Sequence, residues 1–256
     1  MLAAAVTFLG AGFAYSQPAD PCIVPDDGSG TVVLPPPGCA YLSPTEVHMI
    51  IDGLPPNTTI ELAPIHLDFI CRQGGDPANC VTPGGPLGGD TEVFDSTLRA
   101  RLTGMGVPVN RAIDIPMSCQ VATGPRVPGP LQAFQNEMLQ CQGGIVGDPD
   151  FADLQIRAGS NFGLPSPGQT TLTDLGNGTW QVDSFFDVTY DITFTGAPGG
   201  ALAGMTGTTQ ATIRMEAQAT PPPVPTVSEW GLIGMTVLLV GAGAVVIQRR
   251  RRLAVA

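Results

Sequence analysis

The sequence contains no lysine. All eleven basic residues are arginine, and four of them, Arg249, Arg250, Arg251 and Arg252, are consecutive. A phosphate-loop lysine, a Schiff-base lysine and a lysine general base are therefore excluded. Histidine is almost as scarce, with His48 and His66 alone. Two histidines allow a serine triad numerically, but no G-x-S-x-G turn surrounds Ser160 or Ser166, and His66 falls in a strand-like run where a structural role is expected. No pair of cysteines has C-x-x-C spacing, so zinc binding has little support and no cofactor or metal site is expected. Charged residues make up 13% of the chain and aromatic residues 6%, and the middle of the chain shows no long amphipathic helical period.

What is abundant is glycine and proline. The 33 Gly and 26 Pro in 256 residues indicate short strands joined by many turns, in one or two domains. All six cysteines, Cys22, Cys39, Cys71, Cys80, Cys119 and Cys141, lie before the last third of the chain, and an even set suits disulfides in an oxidising compartment. Of fifteen pairings, the sequential one (Cys22–Cys39, Cys71–Cys80, Cys119–Cys141) closes the shortest loops and is preferred. Between positions 17 and 226 there are 21 acidic residues against 7 arginines, a charge near −14 that disfavours nucleic acid as a partner.

Period-two alternation is clearest from Thr179 to Thr195, where Trp180, Val182, Phe186, Val188, Tyr190, Ile192 and Phe194 share one face. Gly176-Asn177-Gly178 supplies a tight turn before it. A second alternation sets Ala211, Ile213, Met215 and Ala217 against Gln210, Thr212, Arg214 and Glu216. Further strands are expected at Glu46–Ile51, Thr59–Ile70, Ala112–Val121, Phe134–Cys141 and Asp153–Ala158, with 74–89 and 123–130 as loops. About eight strands imply an all-β fold with an antiparallel β-sandwich body over 32–218. A shift of 92 residues lays Phe94-Asp95-Ser96-Thr97 on Phe186-Asp187-Val188-Thr189, Leu102-Thr103-Gly104 on Phe194-Thr195-Gly196, and Glu61-Leu62 on Asp153-Leu154. Strand phase is kept in both copies, so a degenerate tandem duplication, 32–123 and 124–218, is expected.

Carboxylates offer little catalytic promise. Asp148-Pro149-Asp150 with Asp153, and Asp26-Asp27 before Gly28-Ser29-Gly30, could each gather calcium, but neither has a calcium-loop pattern and solvated turns are the better reading. Asp183, Asp187 and Asp191 would stand about 13 Å apart along one strand, beyond the roughly 5–9.5 Å that glycoside hydrolysis uses. No catalytic residues are assigned.

The two ends carry an address. Residues 1–16 are apolar and small, and Ala14-Tyr15-Ser16 before Gln17 suits signal peptidase. No Lys or Arg precedes that apolar run, so a start codon further upstream is expected. Residues 17–31 then form an N-terminal segment ahead of the body. At the other end, Trp230 to Ile247 is 18 residues without a charge, about 27 Å as a helix and long enough to enter a bilayer. The arginine cluster in the tail 248–256 puts that tail in the cytoplasm by the positive-inside rule.

Between body and span, within the Pro-rich linker 219–229 and its edge, stands Val224-Pro225-Thr226-Val227-Ser228-Glu229-Trp230-Gly231. This segment resembles the IPTL-CTERM signal, a relative of PEP-CTERM with consensus I-P-T-L-S-E-W-G; Val224 and Val227 replace Ile and Leu. The resemblance implies recognition by an exosortase-type membrane peptidase, removal of the transmembrane helix 230–247, and delivery to the cell surface. The expectation is an exported, non-enzymatic surface or envelope protein, anchored in the inner membrane before processing, with the lipid bilayer, the peptidase and extracellular polysaccharide as partners. An adhesion or carbohydrate-binding module and a secreted hydrolase of unfamiliar type are the alternatives.

Overall fold

The computed structural model describes residues 20–43, 49–51, 54, 58–71 and 80–220. These form twelve strands, all pairings antiparallel: β1 (Cys22–Pro25), β2 (Cys39–Leu42), β3 (Met49–Ile51), β4 (Thr59–Cys71), β5 (Val81–Pro83), β6 (Asp90–Met105), β7 (Asn110–Thr123), β8 (Leu131–Val146), β9 (Phe151–Ala158), β10 (Pro167–Asp174), β11 (Thr179–Gly196) and β12 (Thr206–Ala219). A 3-10 turn, Ser160–Phe162, links β9 to β10. No helix among the described residues is long and apolar enough to cross a membrane. Residues 1–16, His48, the sorting segment, the 230–247 stretch and Arg249 to Arg252 lie outside the described residues.

The expected sandwich takes the form of one continuous sheet rather than two. Its path β4–β2–β12–β11–β10–β8–β7–β6 returns to β4 through the β4–β6 ladder, while β9 also bridges β8 and β11. Closure matters because an open edge is a template for unwanted pairing, and only the short strands β1, β3 and β5 stand beside the ring. Two strands arise where loops or a separate segment were expected. Val81–Pro83 pairs with β6 inside the 74–89 run, and β1 pairs with β11, so the 17–31 segment is part of the sheet. Short β1, β2 and β10 give too few alternations to stand out by periodicity, and neighbouring ladders decide them.

The two halves are laid out alike. Leu62 pairs with Leu102, Glu61 with Thr103 and Ala63 with Arg101 in the β4–β6 ladder. Ninety-two residues later, Leu154 pairs with Phe194, Asp153 with Thr195 and Gln155 with Thr193 in the β9–β11 ladder. β7 and β12 follow β6 and β11 in the same order, and each half then hands over to the other: β7 pairs with β8, and β12 with β2. The strands at 94–104 and 186–196 are therefore topologically equivalent.

The inward faces of both halves meet in one core, with Ile60, Leu62, Leu102 and Ile115 from the first half against Leu154, Ile192, Phe194 and Leu202 from the second. Each buried aliphatic side chain contributes about 1.5–3 kcal/mol. A second cluster, with Trp180, Val182, Leu172 and Phe134 around Cys22, Val24 and Leu34, ties the N-terminal segment to β11.

Equivalent glycines end β6 and β11. Gly104 donates its N–H to the Val109 carbonyl at 2.7 Å, and Gly196 donates to the Met205 carbonyl at 2.8 Å. A Cβ on Gly104 would stand 2.6 Å from the Val107 carbonyl oxygen, and one on Gly196 would run into that of Leu202. Both hairpins thus fold their backbone over a position with no side chain. Gly196→Ala is expected to cost about 2–3 kcal/mol, lowering the melting midpoint by roughly 4–12 °C for a body of this size; an unchanged midpoint in a calorimetric scan would refute the crowding argument.

Candidate functional site

Polar groups converge on one small cavity inside the ring. β4 carries a bulge between Leu67 and Ile70, with Asp68 at φ 56°. A bulge re-aims the following side chain, and Phe69 stands edge-on to Tyr41, His66 and Phe94 at centroid distances of 5.9, 5.1 and 5.7 Å. These rings, with Phe186, Val188 and Met215, line a cavity of about 40 Å³. A water molecule needs roughly 10–15 Å³ of such space, so the cavity suits water and not a drug-sized substrate.

His66 Nε2 lies 2.6 Å from Ser96 Oγ and 4.0 Å from Cys119 Sγ. Burial lowers the His66 pKa to about 4, so the ring is neutral at neutral pH. His66, Cys119 and Cys141 offer atoms within 4.8 Å of one another, a spacing a metal could use. Both sulfurs, however, are joined in the Cys119–Cys141 bridge, which removes the thiolates that a metal would need. This corner is a packed polar core. A hydrolase would want a pocket with a histidine beside a carboxylate; Glu92 does line the same cavity, but its carboxylate is taken by Arg126 at 2.9 Å.

Glu92 is 2% exposed. Burial pushes its carboxyl above the usual range, Arg126 opposes that shift and Asp90 adds to it. Arg126 also donates to the Val32 carbonyl at 2.8 Å and stacks over Phe134, so it ties the N-terminal segment to β6 and β8. On the other side of the cavity a buried chain runs from Tyr41 Oη to Ser184 Oγ at 2.9 Å, on to Thr170 Oγ1 at 2.7 Å, and to Asn136 Nδ2 at 2.6 Å.

The carboxylate pairs singled out from the sequence are engaged in structure. Asp148 and Asp150 both accept from Arg111, the latter at 2.8 Å from Nε. Asp26 accepts from the Gly28 and Gly30 amides and from Trp180 Nε1 at 2.8 Å, which lower its pKa with the indole bond leading. Asp187 pairs with Arg214 and Asp191 with Arg157 on the solvent face. The acidic turns are capped by backbone amides and ion-paired.

The six cysteines form three bridges, Cys22–Cys39, Cys71–Cys80 and Cys119–Cys141. The first joins β1 to β2. The third joins directly opposed residues of β7 and β8, where the first half hands over to the second. Sequence reasoning missed the interior residues Tyr41, Glu92, Ser96, Arg126, Asn136, Thr170 and Ser184. One signal was present: Ser184-Phe185 breaks the alternation of β11, putting a hydroxyl inside and an aromatic ring outside.

At Thr220 the described body gives way to the Pro-rich linker. The next 31 residues, 222–252, match the family model of the IPTL-CTERM motif. The chain carries an IPTL-CTERM motif. No curated protein and no solved structure matches the chain. An IPTL-CTERM motif at the C-terminal side of a body with three disulfides marks an exported, extracellular-type protein.

Proposed function

We propose that the protein is a non-enzymatic surface protein of the cell envelope, delivered by an exosortase-type peptidase that reads Val224 to Gly231 of its IPTL-CTERM motif. The observation that carries the reading is the order of three features in one short stretch: the matched motif, an uncharged run from Trp230 to Ile247, and Arg249 to Arg252. The apolar run enters the inner membrane and the arginines hold its end in the cytoplasm. Translocation stops there, the body oxidises outside, and cleavage near the motif releases it to the surface. The shared layout of the two halves supports descent from a duplicated unit of about 92 residues, a scaffold rather than a catalyst. An interior cavity sized for water, with its carboxylate and histidine committed to structural partners, supports the non-enzymatic reading.

The test is mass spectrometry of the mature C-terminus in a host that has such a peptidase. The wild-type protein is expected to lose residues 232–256 or a closely similar piece, whereas Trp230→Ala/Gly231→Ala is expected to keep them and stay in the membrane fraction. Equal processing of both forms would rule out the motif as the recognised element.

A further inference from the structure

A second concavity lies on the outside of the ring, across β8, β10, β11 and β12. It measures about 370 Å³, within the roughly 300–1,000 Å³ of small-molecule sites. Its position follows from the break in β11. Because Ser184 turns inward, 1% exposed, Phe185 stands on a face otherwise occupied by Gln181, Asp183, Asp187 and Thr189. Such a violation of the solvent-face pattern marks a place where function rather than folding chooses the residue.

The ladders bring its neighbours into line. Gln135 of β8 pairs with Gln169 of β10, which pairs with Phe185. Beside this row lie Glu137 and the pair Asp187–Arg214. Gly168 and Pro167 of β10 also line it. Arg214 donates from Nε and Nη2 to Asp187 at 2.8 Å each, which holds its guanidinium over the Phe185 ring, 4.1 Å from the ring centroid. Glu137 accepts the Ser166 amide on Oε1 and keeps Oε2. Both glutamine amides are exposed.

We propose that this groove binds a neutral hexose unit of a polysaccharide. Ring hydroxyls donate and accept at once, and each primary amide offers both functions, while the carboxylate accepts and the guanidinium donates. The flat Arg214–Phe185 stack suits the C–H face of a pyranose. A uronic acid or sulfated unit is disfavoured by Glu137, Asp187 and the net negative charge of the body. The proposal rests on the surface placement argued above, because only an exported body meets such polymers, and it names the partner of that body.

The test titrates the full chain, purified in detergent, with dextran, cellohexaose, yeast mannan and alginate by isothermal calorimetry. At least one neutral polymer is expected to bind with a dissociation constant below about 1 mM, and Gln169→Ala and Phe185→Ala should each weaken it about tenfold. Gln169 is exposed, so its variant should melt like the wild type. Binding to none of the neutral polymers, equal binding by both variants, or tighter binding of alginate would each overturn the proposal. The C-terminal mass of the mature protein is independent of these titrations, so a failure here is separable from a failure of the sorting reading.

Discussion

Full reduction of the protein is expected to unfold its body at neutral pH without denaturant, or to leave it folded by only a few kcal/mol. The three bridges close separations of 17, 9 and 22 residues. Loop-closure entropy assigns roughly 2.5–3.5 kcal/mol to each, so together they approach the whole 5–15 kcal/mol that keeps a typical domain folded. Cys22–Cys39 joins the N-terminal segment to the strand that pairs with β12, and Cys119–Cys141 joins the first half to the second. Urea denaturation with and without a thiol reductant checks this: the oxidised midpoint should fall by several molar or the reduced transition should vanish. A reduced protein that unfolds at the same urea concentration would mean that the apolar core suffices alone. Losing single bridges should rank by loop length, with Cys71→Ser/Cys80→Ser mildest.

Arg126→Met is expected to cost about 3–5 kcal/mol at pH 10, where Glu92 is driven to ionise while buried without its partner. The cost should shrink at acid pH, and the sign follows from the raised pKa of Glu92. In the folded state this carboxyl holds its proton to a higher pH than in the unfolded chain. Its contribution to stability is therefore complete below the ordinary carboxyl value of 4.5 and is lost as pH rises through the folded value. Removing Arg126 takes away the charge that lowers the Glu92 pKa, so wild type and variant both hold the proton below about pH 8, where their difference is constant, and the variant falls away as pH rises above about 8. What remains at acid pH is the loss of the bond to the Val32 carbonyl and of the stack on Phe134. The double variant Glu92→Gln/Arg126→Met should recover most of the high-pH loss. Denaturation midpoints at pH 6 and pH 10 decide the matter; a pH-independent loss in the single variant would show that packing, not the uncompensated carboxylate, is responsible.

The sorting motif was legible from residues alone, because it is a short contiguous signal. The eight residues from Val224 to Gly231 can be read without a fold around them, and the family match at 222–252 spans that same stretch. The main strands were legible for a related reason. Period two from Thr179 to Thr195 reports directly which side chains leave water, and the 92-residue echo carries strand phase from Leu62 to Leu154 and from Leu102 to Phe194. The shortest-loop disulfide pattern is the one the structure contains.

Closure of the sheet, by contrast, is a property of pairs that are far apart in the chain. Nothing in β2 or β12 taken separately says that Leu42 will face Glu216, or that β4 will meet β6 on its other edge. The same holds for the buried polar residues. Tyr41, Ser184, Thr170 and Asn136 are unremarkable one by one, and they become a chain only because four strands bring them within hydrogen-bond reach. Arg126, in the β7–β8 loop, and Glu92 of β6 are 34 positions apart, and the buried carboxylate meets its partner only because the folded chain brings that loop to it. Residue type and local period therefore settle which long segments extend and that the chain carries a sorting motif, since both are read from neighbouring residues. Which strands meet, which polar groups are enclosed and where a groove opens depend on long-range pairing, and the folded sheet alone decides them.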